Sequence, residues 1–185
     1  MKTIYLYTDG ACSGNQNKNN IGGWGALLEY KSHRKEIFGG EINTTNNRME
    51  MTALIKALET IKKSNQVISV FSDSAYLVEC FRKKWYINWE NNGWKTSKKT
   101  NVENRDLWEH LFRLIQGHSI SFYRVKGHVN LNNLNTDIEK HYQNFRKWNG
   151  DQFTKEDFLT ITEKNNMADA LANKGVDSMK NTASQ

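Results

Sequence analysis

The sequence predicts an α/β protein, an open mixed sheet with helices laid against it, and three observations predict it. Thr3 to Gly10 is a β-branched and aromatic run that stops at an acid, Asp9. Val67 to Asp73 repeats that design and stops at Asp73. The stretches around Arg48–Ile61, Asp106–Ile115 and Asp137–Trp148 instead carry apolar residues at helical spacing.

Each element follows from its residues. In the first run Tyr5, Tyr7 and Asp9 share one strand face, while Ile4, Leu6 and Thr8 share the other. Ala11 to Gly25 is rich in glycine, asparagine and small polar residues, a turn that serves either as a plain hairpin or to let backbone approach a partner closely. Gly23–Tyr30 and Arg34–Ile42 then read as two further strands, an antiparallel meander with the first. Cap-type residues Thr44 to Asn47 precede a strong helix former over Arg48–Ile61, with a stripe of Met51, Leu54, Leu58 and Ile61. Glu50 falls in the first turn of that expected helix, one turn before Leu54. An acid there either complements the helix dipole or, aimed inward, serves a site. Ser74 caps a helix through Phe81, Asp106–Ile115 forms the next, and Ser119–Lys126 is a fifth strand leading to Gly127 and His128. Ile138, Tyr142, Phe145 and Trp148 recur at helical spacing before a final helix expected to open at Asn166, with Asp169 near its start and Met179–Gln185 as a frayed tail.

The 185 residues suit one domain, taken as 1–180 with a flexible tail at 181–185. A hydrophobic content of 37% with six Trp, seven Tyr and eight Phe is enough for a packed core. Two cysteines, Cys12 and Cys80, make no disulfide framework, and no apolar run approaches a membrane span, so the expected location is the cytoplasm. The net charge of +6 favours a polyanionic partner. Most of the excess lies between Arg82 and Thr100, where six bases (Arg82, Lys83, Lys84, Lys95, Lys98, Lys99) face one acid, Glu90. Residues 129–165 carry five bases against six acids and are no electrostatic arm.

Asp9 and Asp73 at strand ends would project together at the carboxyl edge of a parallel pair, where α/β folds place their sites. With Glu50 and Asp169 in helical first turns, four acids become candidates for one cluster. Clustered carboxylates raise one another's pKa and persist only with cations to neutralise them. All-oxygen ligands select Mg²⁺ or Mn²⁺. Two such ions serve an in-line phosphoryl displacement, and His128 could move a proton or help product leave. Taken singly, a strand-end Asp is also a common turn former and a loop His is commonly inert.

Tyr7-Thr-Asp-Gly10, Thr45-Asn-Asn-Arg-Met-Glu50, Ser72-Asp-Ser74, Val125-Lys-Gly-His128 and Ala168-Asp-Ala-Leu-Ala172 resemble, in order, the motifs of the type 1 ribonuclease H family. The resemblance spans nearly the whole chain. It implies a five-stranded mixed sheet in order 3-2-1-4-5 flanked by helices, and an endonuclease that cuts the RNA strand of an RNA/DNA hybrid to leave 3'-hydroxyl and 5'-phosphate ends. By position in those motifs, Asp9, Glu50, Asp73 and Asp169 would hold two Mg²⁺ ions, with Mn²⁺ a substitute. Glu50 would also meet the 2'-hydroxyl, and His128 would be the mobile histidine. Asn15, Thr45, Asn46 and Asn47 would contact the hybrid, Asn15 and Thr45 near a DNA-strand phosphate. The segment Lys83–Lys99 resembles the family's basic protrusion, with Lys83, Lys84, Lys95, Trp85 and Trp89 as substrate contacts and Trp94 bracing them.

This sequence departs from the family's pattern in four places. The glycine turn lacks prolines, Ala75 stands where a polar residue often reaches the hybrid, and Asn166 replaces a frequent glutamate. His128 and Asp169 are 41 positions apart, far beyond the family's usual short spacing. The insert 129–165 reads as a lid, a docking surface for a protein partner or a packed ornament, and its aromatic stripe argues for packing. The expected protein is a monomeric, metal-dependent ribonuclease H. The alternatives are a catalytically silent hybrid-binding module and another nuclease on the same fold, of integrase or junction-resolvase type.

Overall fold

The structure, a computed structural model, describes residues 2–14 and 20–183. Its elements run β1 (Ile4–Ser13), β2 (Ile21–Tyr30), β3 (His33–Ile42), α1 (Asn46–Glu59), β4 (Val67–Ser72), α2 (Ala75–Arg82), α3 (Trp85–Asn91), α4 (Arg105–Ile115), β5 (Ser119–Arg124), α5 (Ile138–Asn149) and α6 (Lys155–Ala183). The strands form one sheet in the order β3-β2-β1-β4-β5. β1, β2 and β3 pair antiparallel, while β1 with β4 and β4 with β5 pair parallel. Among the described residues no helix is long and apolar enough to cross a membrane.

Strand alternation sends β1 into two cores. Leu6, Ile68 and Val70 meet Met51, Leu54 and Leu58 of α1, Leu77 and Phe81 of α2, and Trp89, Trp94 and Trp108. On the opposite face Tyr7, Leu27 and Phe71 meet Phe145 of α5 and Phe158, Ile161 and Ala168 of α6. Phe71 stacks between Tyr7, at 5.0 Å, and Tyr123, at 5.2 Å, and meets Phe153 edge-on. Of the stripe in residues 138–148, Phe145 is buried in this core and Ile138 and Tyr142 pack against it, while Trp148 lies outside it under the Arg124 guanidinium, 4.2 Å from its ring centroid.

α6 begins at Lys155, eleven residues before the expected start at Asn166. Its start is a reciprocal capping box: the Asp157 carboxylate accepts from the Thr154 backbone N–H at 2.8 Å, and the Thr154 hydroxyl accepts from the Asp157 N–H at 3.1 Å. The helix continues through Ala183, so Met179 lies inside it and not in a frayed tail; Ser184 and Gln185 fall outside the described residues. Asp169 consequently sits mid-helix and not in a first turn. α6 crosses the β1–β2–β3 half of the sheet at close range, because a Cβ at Gly23 would overlap the Ala172 carbonyl. α1 also begins earlier than expected, where the Thr45 hydroxyl accepts from the Arg48 N–H at 3.2 Å, which puts Glu50 in the second turn.

Beyond β4, β5 forms the outer edge of the sheet. Arg82 at the end of α2 donates from Nε to the Phe122 carbonyl (2.9 Å), from Nη1 to the Trp148 carbonyl (2.8 Å) and from Nη2 to Asn149 Oδ1 (2.8 Å). Asn149 in turn accepts from the Arg124 N–H and donates to the Arg124 carbonyl, each at 2.8 Å. Arg82, counted with the basic cluster in the sequence, is committed to joining α2, β5 and α5.

Candidate active site

Thr8 pairs with Ser72 at the last parallel rung, so Asp9 and Asp73 leave adjacent strands side by side where that pairing ends. β1 itself runs on past Asp9 to Ser13, held by β2 alone. α1 brings the third acid: a Cβ at Gly10 would overlap the backbone at Met49 and Glu50, so glycine after Asp9 lets the helix come close enough to set Glu50 on the strand. One carboxylate oxygen each from Asp9, Glu50 and Asp73 lies within 4.8 Å of the others. Asp9 is 3% and Glu50 4% exposed.

Asp169 lines the same cleft, of about 470 Å³, but stands outside that trio. Its Oδ2 is 3.5 Å from His128 Nδ1, and its Oδ1 accepts from Asn173 Nδ2 at 3.3 Å. The structure thus gathers three of the four expected acids into one tight cluster and sets the fourth, Asp169, next to it, close enough to Asp9 to help raise that carboxyl and in contact with His128. Ala75 and Tyr76 at the start of α2 also line the cleft. Sequence reasoning passed over Tyr76, although its place in the first turn after Asp73 was a signal. It is 37% exposed, and its ring lies 5.9 Å from Trp85.

Burial and mutual repulsion dominate the electrostatics. Burial, then the neighbouring charge of Asp73, pushes the Asp9 carboxyl up to about 8. Glu50 is raised well above the ordinary carboxylate range, first by burial and then by Asp9 and Asp73, and burial raises Asp73 as well. Glu50 Oε2 is buried with no hydrogen-bond partner. An oxygen-only donor set with one unpartnered buried oxygen fits a hard divalent cation, which would replace the protons this cluster otherwise keeps.

Protons and cations therefore compete here, and stability should report the competition. A carboxyl raised from 3.8 to about 8 on folding contributes stability that is complete below its unfolded value and is lost as pH rises through the folded one. In EDTA the unfolding free energy is expected to fall by roughly 1–3 kcal/mol between pH 5 and pH 8.5, at up to about 1.4 kcal/mol per pKa unit, and the melting temperature to fall with it. Mg²⁺ should restore it at the alkaline end, and Asp9→Asn should flatten the profile. A melt in EDTA that ignores pH over this window would refute the account.

The basic segment reaches the cleft through Trp85, whose ring meets the cleft-lining Tyr76. Thr45, Asn46 and Asn47 are exposed at the amino end of α1, while Asn15 lies outside the described residues. Lys83, Lys84 and Lys95 are exposed, Lys83 pairing with Glu79 at 2.7 Å and Lys95 with Asn101. Trp85 is half-buried with Lys83 Nζ 5.9 Å from its ring centroid. Trp89, expected as a contact, is only 9% exposed and packs against Trp85, Trp94 and Trp108. Its geometry makes it a brace beneath Trp85 and not a free stacking face.

The family model described as RNase H matches residues 1–143. The chain belongs to the RNase H family. It is 52% identical over 128 residues to a ribonuclease H of Syntrophomonas wolfei, covering 69% of this chain and 86% of that protein. The crystal structure of LC9-RNase H1, a type 1 RNase H with the type 2 active-site motif, superposes with a TM-score of 0.70 at 24% identity, over 96% of this chain and 73% of that one. LC11-RNase H1 in complex with RNA/DNA hybrid superposes with a TM-score of 0.56 at 18% identity, over 95% of this chain and 98% of that one. These two likenesses concern the fold. Asp169 lies past the family-matched segment of this RNase H chain, so its place in the cleft comes from α6.

Proposed function

We propose that this RNase H chain hydrolyses the RNA strand of RNA/DNA hybrids with two divalent metal ions, Mg²⁺ in the cell with Mn²⁺ a substitute. The observation that carries the reading is the buried Asp9–Glu50–Asp73 cluster at the carboxyl edge of the parallel strands, in a cleft that Asn46 and Asn47 also line and whose Tyr76 touches Trp85 of the basic segment. Asp9, Glu50 and Asp73 would be ligands, with Asp169 closing the set from α6. When bound, such ions supply an activated water and charge neutralisation at the phosphate, as in other two-metal phosphodiester hydrolases.

The chain's own residues do the rest. Glu50, at the floor of the cleft, would also meet the 2'-hydroxyl, the group that separates RNA from DNA. Thr45, Asn46, Asn47 and Asn15 present hydroxyl and amide groups to the hybrid, Lys83, Lys84 and Lys95 its phosphates, and Trp85 an aromatic face braced by Trp89. His128, beside Asp169 in the same cleft, moves a proton or assists departure of product. The water oxygen stays on the 5'-phosphate and the displaced RNA oxygen becomes the 3'-hydroxyl. A single domain acting as a monomer in the cytoplasm, with segment 129–165 as a folded addition that can also meet a protein partner, completes the reading.

Strand-specific cleavage with Mg²⁺ or EDTA on matched RNA/DNA hybrid, duplex RNA, duplex DNA and single-stranded RNA tests it. Metal-dependent cutting confined to RNA in the hybrid is the expected result. Cutting of duplex or branched DNA would assign a related nuclease activity, and binding without cutting a silent module. Replacing Lys83, Lys84 and Lys95 with Ala should also flatten the dependence of log Kd on log salt, by about one unit of slope for each lysine that meets a phosphate. An unchanged slope would move the binding surface elsewhere.

A further inference from the structure

His128 has a left-handed backbone, with φ of 57°, and its side chain is 75% exposed. Such a conformation costs energy for a non-glycine residue and persists only where neighbouring bonds impose it. His128 has few side-chain contacts to impose it. The next residue, Val129, is 4% exposed, and its carbonyl oxygen accepts from Asn166 Nδ2 at 2.8 Å. Asn166 and Asp169 stand three residues apart on α6, so they lie on one helix face. That face therefore holds the loop by its backbone one residue after the histidine and faces the imidazole with a carboxylate 3.5 Å away.

We propose that Asn166 is the positioning residue for His128, a latch whose side-chain amide ties the histidine loop to α6. The inference rests on the reading of His128 as part of a ribonuclease H site. The latch needs a donor, because Val129 offers a carbonyl; a carboxylate at position 166 would repel it. The bond also accounts for a long departure in the chain. From Asn130 to Thr154 the polypeptide leaves the site, builds α5 and returns as α6, so the loop is not held to Asp169 by a short covalent path. Inside the segment that follows, Thr136 Oγ1 donates to the Asn130 carbonyl at 2.7 Å and Asn130 Oδ1 accepts from the Asn132 N–H at 3.0 Å. Those bonds fold the segment upon itself, and the Asn166 amide joins it to the helix that bears Asp169.

The test is a double-mutant cycle on the full chain with Asn166→Ala and His128→Ala, read by single-turnover cleavage of an RNA/DNA hybrid and by hybrid Kd. Loss of one hydrogen bond should slow cleavage about five- to tenfold in Asn166→Ala, with Kd unchanged and the melting temperature lowered by no more than about 5 °C, so that the chain stays fully folded at the assay temperature. The same substitution should have no further effect once His128 is Ala, because residues acting through one another are not additive. Equal slowing in both backgrounds, or none in either, would overturn the latch. So would full activity of His128→Ala in an enzyme that cuts hybrids, since Asn166 would then have nothing to act through. Amide hydrogen exchange provides a readout independent of turnover: residues 128–130 should exchange about five- to tenfold faster in Asn166→Ala. Unchanged exchange would overturn the latch even if cleavage fell. Failure of the wild-type chain to cut any hybrid, with faster exchange in the variant, would leave the latch standing and remove the function proposed for the site.

Discussion

Replacing Asp73 by Asn is expected to lower single-turnover cleavage on the order of 10³-fold, the scale of removing one preorganised charge-stabilising group from a phosphoryl site. Hybrid Kd should stay within about twofold of its starting value, because Asp73 faces Asp9 and Glu50 and not the basic segment. Asparagine keeps the side chain's shape and one oxygen but removes the charge that helps raise Asp9 and Glu50. The same variant should therefore melt higher than the parent in EDTA at pH 8, while gaining less from added Mg²⁺. Loss of cleavage joined to gain of metal-free stability separates a ligand from a structural residue, which would lose both. Retained turnover would count against the two-metal reading.

Phe145→Ala is expected to cost about 3–5 kcal/mol, the usual range for emptying a buried aromatic site. In a chain of this size that corresponds to a fall in melting temperature of roughly 6–20 °C. Phe145 is 1% exposed and lies 5.3 Å from Phe153 and 5.5 Å from Phe158, ring to ring. Those rings cover Phe71 and Tyr7, which belong to the strands that carry Asp73 and Asp9. Thermal unfolding checks the value, and cleavage well below the transition should stay near that of the parent. A normal melting temperature with altered processivity would instead mark the segment as a lid.

Much of the site was legible before the fold. Asp9 and Asp73 close runs of strand-forming residues, and Glu50 precedes the stripe that packs α1 on the sheet, so their convergence follows from alternation and helical period. Helix boundaries were harder to read. The Asn165–Asn166 pair reads as a break, yet Asn165 is fully buried within α6, because packing of Ala168 and Ala172 on the sheet overrides poor local propensity. The Thr154–Asp157 box was present in the sequence and marked the true start. Trp89 shows a different limit. A tryptophan in a basic segment looks the same in sequence whether it faces a phosphate groove or Trp108, and only the path of α3 decides.

Arg82 carries that point to the rim of the sheet. Edge strands expose a row of amide and carbonyl groups that another chain can pair with, and soluble proteins obstruct such rows with charge or covering segments. Between Phe122 and Arg124 the row is taken by a guanidinium and a carboxamide from the protein's own helices. A base counted at first toward nucleic-acid affinity thus occupies backbone at the sheet's rim, and its removal would free the Phe122 carbonyl while Asn149 still held Arg124.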